Sequence, residues 1–174
     1  MHCPHCDKDL NDDHPACPEC KFHISDLDGE LGAPPERQGD VLDRAGVLTG
    51  DERERLVRRC ADLRARTGAE LVVVTAASSA PRKPSEHAFW LFNRWEVGGP
   101  AHAGILVLLS LAERRVESEV GVALEDIISD AASGALLEAH AVPFFALGSF
   151  GEGLYQAVDV LAQLVEHAPR KAWA

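Results

Sequence analysis

The sequence contains no long hydrophobic run. Its longest apolar stretch extends from Gly104 to Ala112, whereas a helix that crosses a bilayer needs about 20 apolar residues. The opening residues, Met1-His2-Cys3-Pro4, contain neither a basic start nor an apolar segment. We therefore expect no signal or transit peptide and no membrane span, and we predict a cytoplasmic location.

Positive charge is also scarce. The chain has 17 Lys and Arg residues against 28 Asp and Glu residues, so its formal net charge is -11. Residues 1–38 hold nine acidic and three basic residues, a net charge of 3 − 9 = −6. Because phosphate backbones are bound by basic surfaces, this excess of acid argues against nucleic acid as a partner. Hydrophobic residues make up 46% of the chain, enough for a packed core.

Four of the five cysteines are spaced in pairs. Cys3-Pro4-His5-Cys6 and Cys17-Pro18-Glu19-Cys20 are two Cys-x-x-Cys turns separated by ten residues. Two such turns that face each other place four thiolates around one tetrahedral Zn²⁺, and four protein ligands leave no open position for catalysis. We therefore predict a structural zinc ribbon whose ligands are Cys3, Cys6, Cys17 and Cys20.

Two other interpretations of the cysteines are less well supported. A pair of disulfides fits an oxidising compartment, and a redox dithiol requires a strand-helix context that the sequence lacks here. The four cysteines already complete a metal shell, so we expect the nearby histidines, His2, His5, His14 and His23, on the surface. Cys60 falls on the apolar side of a predicted helix and is expected to pack in the core.

The remaining pattern predicts an α/β domain. Residues 1–25 form the predicted ribbon, 26–38 a linker rich in Gly and Pro, and 39–168 the main domain. Thr49 and Glu52 form a capping box before an amphipathic helix that ends at Gly68. Buried strands follow at 70–76 and 105–111, joined through a helix by a crossover that predicts parallel pairing.

The second half of the main domain is predicted to contain one more strand and two helices. Residues 116–120 alternate in polarity after a tight turn, which predicts an antiparallel hairpin strand. Ser85 is a candidate N-cap for the crossover helix, and Ser149 with Glu152 forms a second capping box before the last helix. Helices on both faces of a mixed, mostly parallel sheet define an α/β/α sandwich.

From residue 41 onward the chain resembles the TPM-domain family. The resemblance is carried in order by 41–49, 67–75, 94–98, 104–110, 113–116, 119–125, Asp130, 143–145 and 148–154. It implies an α/β/α sandwich, and family members include acid phosphatases, calcium binders and non-enzymatic factors that assemble or repair membrane complexes. Ala103 and Ala123 replace an Asn and a Gly of the family pattern, which implies a weakened ligand site.

The resemblance also implies a site for a divalent cation. Asp43, Glu125 and Asp130 would meet at one cleft and offer hard oxygen ligands to Ca²⁺ or Mg²⁺. A hydrated ion there could hold a phosphate, which would make Asp43 and Asp130 candidate catalytic residues. The alternative is structural, because Asp43 can cap a turn and Asp130 a helix, while Glu125 can be solvated.

Two classes of function therefore remain. In the first, the protein is an adaptor or an assembly or repair factor that binds another protein through a sheet edge or an acidic cleft. In the second, it is a weak metal-dependent acid phosphatase acting on phosphomonoesters. No nucleophile elbow or phosphate loop is present in the sequence, and the adaptor interpretation is favoured.

Overall fold

A computed structural model of the protein describes residues 3–6, 8 and 16–168, with only the main chain at Asp130. Its centre is a four-stranded sheet in the order β1-β2-β3-β4. The strands are Val41–Asp43 (β1), Glu70–Ala76 (β2), Gly104–Ser110 (β3) and Arg115–Val120 (β4). The first three are parallel, and β4 pairs antiparallel with β3. The mixed, mostly parallel sheet predicted from the sequence is confirmed.

Helices cover both faces of this sheet. They are Ile24–Leu31 (α1), Gly50–Thr67 (α2), Pro84–Arg94 (α3), Asp130–His140 (α4), Val142–Phe145 (α5) and Phe150–His167 (α6). One apolar cluster joins the sheet to α2, α4 and α6, and a second joins it to α1 and α3. None of these helices is long and apolar enough to cross a membrane.

The unbroken apolar sequence of β2 explains how the sheet is held between two layers. Successive side chains of a strand point to opposite faces. Leu71 and Val73 accordingly pack toward α2 and α6, while Val72 and Val74 pack toward α3. All four are at most 1% exposed, and burying each such side chain contributes about 1.5–3 kcal/mol.

The predicted limits of α2 are confirmed. The Thr49 side chain accepts from the main-chain N–H of Glu52, and the Glu52 carboxylate accepts from Thr49 N at 2.8 Å. Gly68 ends the helix with φ = 81°, a left-handed conformation that costs glycine little.

One predicted N-cap residue and one predicted capping box are wrong, although Ser149 does occupy the N-cap position of α6. Helix α3 has Lys83 rather than Ser85 at its N-cap, because Pro84 takes the first helical position, where its missing N–H is not needed. Ser149 makes no side-chain cap hydrogen bond. The Glu152 carboxylate, which a capping box would use, instead accepts from Arg55 at 2.6 Å and Gln156 at 2.7 Å.

The predicted linker at 26–38 also differs from expectation, because α1 occupies its first part. Leu27 is fully buried beneath the helix. Asp28 accepts from the indole N–H of Trp90 at 2.9 Å and from the Arg94 guanidinium at 2.5 Å, and both contacts lower the pKa of Asp28. Contacts with α3 therefore fix a segment whose composition alone suggested an irregular chain.

Candidate metal centre, polar network and edge groove

Four thiols converge at one point. The ligand atoms of Cys3, Cys6, Cys17 and Cys20 all lie within 4.8 Å of one another. The Sγ atoms of Cys3 and Cys20 are 3.7 Å apart, as are those of Cys6 and Cys17. A tetrahedron with metal–sulfur bonds of about 2.3 Å has edges of about 3.8 Å, so the spacing fits a tetrahedral metal ion such as zinc.

Main-chain hydrogen bonds hold both cysteine turns. Cys3 N donates to Lys8 O and Cys17 N to Phe22 O, each at 2.8 Å. Metal binding requires thiolates. The N–H of Cys20 is the main cause that lowers the pKa of Cys17 to about 7, whereas burial raises the pKa of Cys3 and raises that of Cys20 to about 12. Cys60 lies fully buried in the other apolar cluster, and burial raises the pKa of its thiol to about 12. It is thus a core residue, as expected.

The cysteine turns rest on the amino end of α3. His5 Nδ1 lies 2.7 Å from Oε1 of Glu86, whose side chain is only 3% exposed. Lys83 Nζ donates to His5 O, and Ser85 Oγ donates to Pro4 O, both at 3.3 Å. The His5 ring also stacks on Phe22 at 5.6 Å. The first cysteine turn thus contacts α3 directly.

The other histidines near the cysteines have different positions. The ring of His23 caps α1 by accepting from Ser25 N at 3.1 Å. His2 and His14, which were expected on the surface, lie outside the described residues.

Asp43 stands at the carboxyl end of β1, where its oxygens bind the chain's own donors. Oδ1 accepts from the Thr75 hydroxyl at 2.5 Å and from Val47 N at 3.1 Å, and Oδ2 accepts from Leu48 N at 3.0 Å. Partial burial alone would raise the pKa of Asp43, but these hydrogen bonds outweigh it and lower the pKa. Asp43 therefore fixes the turn between β1 and α2.

Two of the three acidic residues expected at one cation site, Asp43 and Glu125, lie at opposite edges of the sheet. Glu125 follows β4, whose end is marked by the hydrogen bond from Gly121 N to Gly104 O at the amino end of β3. Asp43 is at the opposite edge of the sheet, three strand spacings or about 14 Å away, and at the opposite strand end. These positions do not support the prediction that Asp43 and Glu125 share one cation site.

Asp130 also belongs to the far edge of the sheet. It begins α4, which packs on β4 and α6, and its side chain lies outside what the structure describes. The expected capping role falls to its neighbour Ser129, whose side chain accepts from Ala132 N at 3.3 Å.

A buried polar chain at the carboxyl ends of β2 and β3 was missed by the sequence analysis. His87 Nδ1 lies 3.1 Å from Ser79 Oγ, which lies 2.8 Å from Ser110 Oγ. Ser110 Oγ in turn donates to Glu113, and Ser78 Oγ donates to the same carboxylate at 2.6 Å. Burial lowers the pKa of His87, and the serine hydroxyls lower the pKa of Glu113 to about 2.

This polar chain is not arranged for nucleophilic catalysis. A triad needs an exposed hydroxyl, an imidazole beside it and a carboxylate on the other side of that imidazole. Here Ser79 and Ser110 are fully buried, and the Glu113 carboxylate contacts serines. The network instead connects the loop after β2 to the end of β3. No local sequence pattern predicts it, because its members come from three separate segments.

A groove of about 880 Å³ runs along the outer edge of β4. One wall is formed by the cysteine turn 3–6 with Lys83 and Ser85, and the other by α4 and Val142. Residues 114–119 form the floor. The first cysteine turn and the open strand edge thus share one surface.

Comparisons with known proteins agree with this architecture. The family model of the TPM domain matches residues 41–164. The N-terminal domain of a P. gingivalis protein is 29% identical over 72% of this chain and 81% of its own, with a TM-score of 0.68. No curated protein matches the chain.

Two further solved structures share the fold at lower identity. The N-terminal domain of cg2496 from Corynebacterium glutamicum is 13% identical over 79% of this chain and 88% of its own, with a TM-score of 0.61. BA42 from Bizionia argentinensis is 16% identical over 73% and 86%, with a TM-score of 0.60. The α/β/α architecture and the match over residues 41–164 lead to one conclusion: the chain belongs to the TPM-domain family.

Proposed function

We propose that the protein is a protein-binding adaptor, acting as an assembly or repair factor, whose N-terminal segment is a zinc ribbon docked on a TPM domain. The observation that carries this proposal is the groove in which the cysteine turn and the β4 edge form one surface. An open strand edge offers main-chain donors and acceptors to a partner. We retain residues 1–25 as the ribbon and 39–168 as the TPM domain.

Zinc is the metal that best fits the four cysteines. Sulfur-only tetrahedral sites select zinc over calcium or magnesium, which prefer oxygen ligands. A shell closed by four protein ligands gives the ion a structural role. Paired Cys-x-x-Cys turns that bind metal are typical of reducing compartments, which supports the prediction of a cytoplasmic location.

The metal-dependent phosphatase remains the alternative hypothesis. It would need carboxylates that hold Ca²⁺ or Mg²⁺ beside a phosphomonoester. The carboxylate oxygens of Asp43 accept hydrogen bonds that hold its own turn. Because these oxygens already have donors, Asp43 is poorly placed to bind a cation. Glu125 and Asp130 stay candidate ligands from the sequence, and the adaptor proposal does not depend on them.

Cross-linking in the native host tests the adaptor proposal. The tagged full-length chain is compared with Cys17→Ser, which removes one metal ligand, and with Cys60→Ala, which removes a core thiol outside the cluster. We expect one reproducible set of cross-linked proteins with the wild type and Cys60→Ala, and its loss with Cys17→Ser. Failure to recover any such set, combined with magnesium-dependent hydrolysis of p-nitrophenyl phosphate, would favour the phosphatase instead.

A further inference from the structure

We propose that the groove along β4 binds an extended segment of a partner protein as a fifth, antiparallel strand. In this segment neutral apolar residues alternate with charged residues. The charged residues of the segment are basic where they lie opposite Glu117 and Glu119, and acidic where they lie opposite Arg115. The proposal rests on the adaptor function and names the contact surface and the chemistry of the partner.

Hydrogen-bonded and non-hydrogen-bonded residue pairs alternate along the hairpin, and this alternation identifies which main-chain groups face the groove. Gly121 N donates to Gly104 O at 2.8 Å, so these two directly opposed residues form a hydrogen-bonded pair of the hairpin. In an antiparallel ladder such pairs recur at every second residue. The main-chain N–H and C=O groups that bond to β3 are therefore those of Glu119, Glu117 and Arg115. The N–H and C=O groups of Val116, Ser118 and Val120 point away from β3, into the groove.

The α4 side of the groove has mostly small or apolar side chains, and Glu138 is the charged residue among those described on this wall. Ala131 and Gly134 of α4 line this wall, and Leu137 and Val142 supply apolar surface. Val116 and Val120 point to the same side of the sheet and belong to its apolar cluster. Every second residue of an added strand would face this wall, where small or medium apolar side chains fit.

The opposite side of the groove is charged. Arg115, Glu117 and Glu119 all point to the face of the sheet covered by α3, because they alternate with the valines of the strand. An Arg115–Glu117 ion pair of 3.1 Å runs along the row, and the Arg115 side chain is 63% exposed. Directly opposed charges of unlike sign stabilise a strand pair and like charges destabilise it. The row of one basic and two acidic residues thus selects a strand with the reverse order of charges.

The walls favour a single extended segment over a second copy of the chain. The cysteine turn stands on one side of β4 and α4 on the other, and both line the cavity beside the strand edge. A second copy would bring its own cysteine turn and its own α4 to the same place. A strand of six residues is about 20 Å long and carries no such walls, so it enters the groove alone.

Fluorescence anisotropy with two capped hexapeptides provides the test. The matching peptide is acetyl-Val-Lys-Val-Lys-Val-Glu-amide, and the control, acetyl-Val-Glu-Val-Glu-Val-Lys-amide, has every charge reversed. We expect the full-length chain to bind the matching peptide at least tenfold more tightly. In the double variant Glu117→Lys with Glu119→Lys the preference should invert.

Ser118→Pro tests the main-chain contact. Proline removes an N–H that points into the groove and spares the ladder to β3, a position at which edge strands tolerate it. We expect at least a tenfold loss of peptide affinity. Ser118→Ala, which also loses the hydroxyl contact to Ser133 but keeps the N–H, should bind like the wild type. Unfolding curves establish that each variant is folded. If Ser118→Pro does not fold, the inverted peptide preference of the double variant Glu117→Lys with Glu119→Lys still tests the proposal.

Three outcomes would overturn the proposal. The first is equal binding of both peptides, and the second is binding that a folded Ser118→Pro variant retains. The third is a dimer in light scattering that Ser118→Pro dissociates while neither peptide binds, which would assign the edge to a second copy. If cross-linked partners persist with Ser118→Pro, the adaptor function survives and only the groove is excluded.

Discussion

His5 Nδ1 lies 2.7 Å from Oε1 of Glu86, and this contact joins the first cysteine turn to α3. Glu86 is 2% exposed, so loss of His5 leaves a buried carboxylate with fewer partners. We expect His5→Ala to lower the free energy of unfolding by about 1 kcal/mol, a value reduced by the exposure of the histidine. Urea denaturation followed by tryptophan fluorescence measures the change. His140→Ala, at an exposed position on α4, should change stability little.

The cysteine cluster should bind one zinc ion per chain. Elemental analysis of the purified protein should find that ratio, and Cys17→Ser should lose the metal because the shell then lacks a thiolate. The variant should also unfold at a lower temperature, since Cys17 packs in the same apolar cluster as Leu27 and Trp90. Cys60→Ala should retain the zinc. A folded, metal-free wild-type cluster would contradict this prediction.

Acid should destabilise the protein in two stages. The pKa of His87 is lowered below 6.5, so the unfolded chain takes up a proton first and stability falls as the pH drops below about 6.5. Arg44 contributes to this lowering, while the Glu113 carboxylate opposes it. Glu113 has a pKa of about 2 against 4.5 when unfolded, and its contribution is lost as the pH falls from 4.5 toward 2.

Glu113→Gln isolates the second stage. The variant should flatten the dependence of the melting temperature on pH below 4.5. Because it removes a charge that opposes the lowered pKa of His87, the dependence between pH 7 and 5 should persist or become steeper. Because Glu113 is partly exposed, we expect an effect on the order of 1 kcal/mol. Melting curves of both proteins at steps of half a pH unit provide the comparison, and parallel curves below pH 4.5 would disprove the assignment.

Asp43→Asn should separate a structural from a cation-binding role. The amide offers one acceptor oxygen where the carboxylate uses two, so a main-chain donor at Val47 or Leu48 loses its partner at a cost of about 1–3 kcal/mol. We expect this loss to be the same with and without millimolar calcium or magnesium. A rise in the wild-type melting temperature with either ion that Asp43→Asn abolishes would instead support the cation site.

Local patterns determined much of this protein. The doubled Cys-x-x-Cys spacing selected the four cysteines that the structure brings together, because ligand pairs in a tight turn depend only on neighbouring residues. The capping box at Thr49 and the apolar strands β2 and β3 are likewise local, and they were predicted correctly. The family resemblance, which adds the order of these segments, was confirmed over residues 41–164.

Only the tertiary structure decided how these segments meet. Helix α1 forms in the predicted linker because Trp90 and Arg94, more than 60 residues away, supply partners for Asp28. Asp43 and Glu125 lie at opposite edges of the sheet because strand order, which spacing in the sequence does not encode, separates β1 from β4. The edge groove arises in the same way, since its floor and two walls come from distant parts of the chain and exist only once these have packed together.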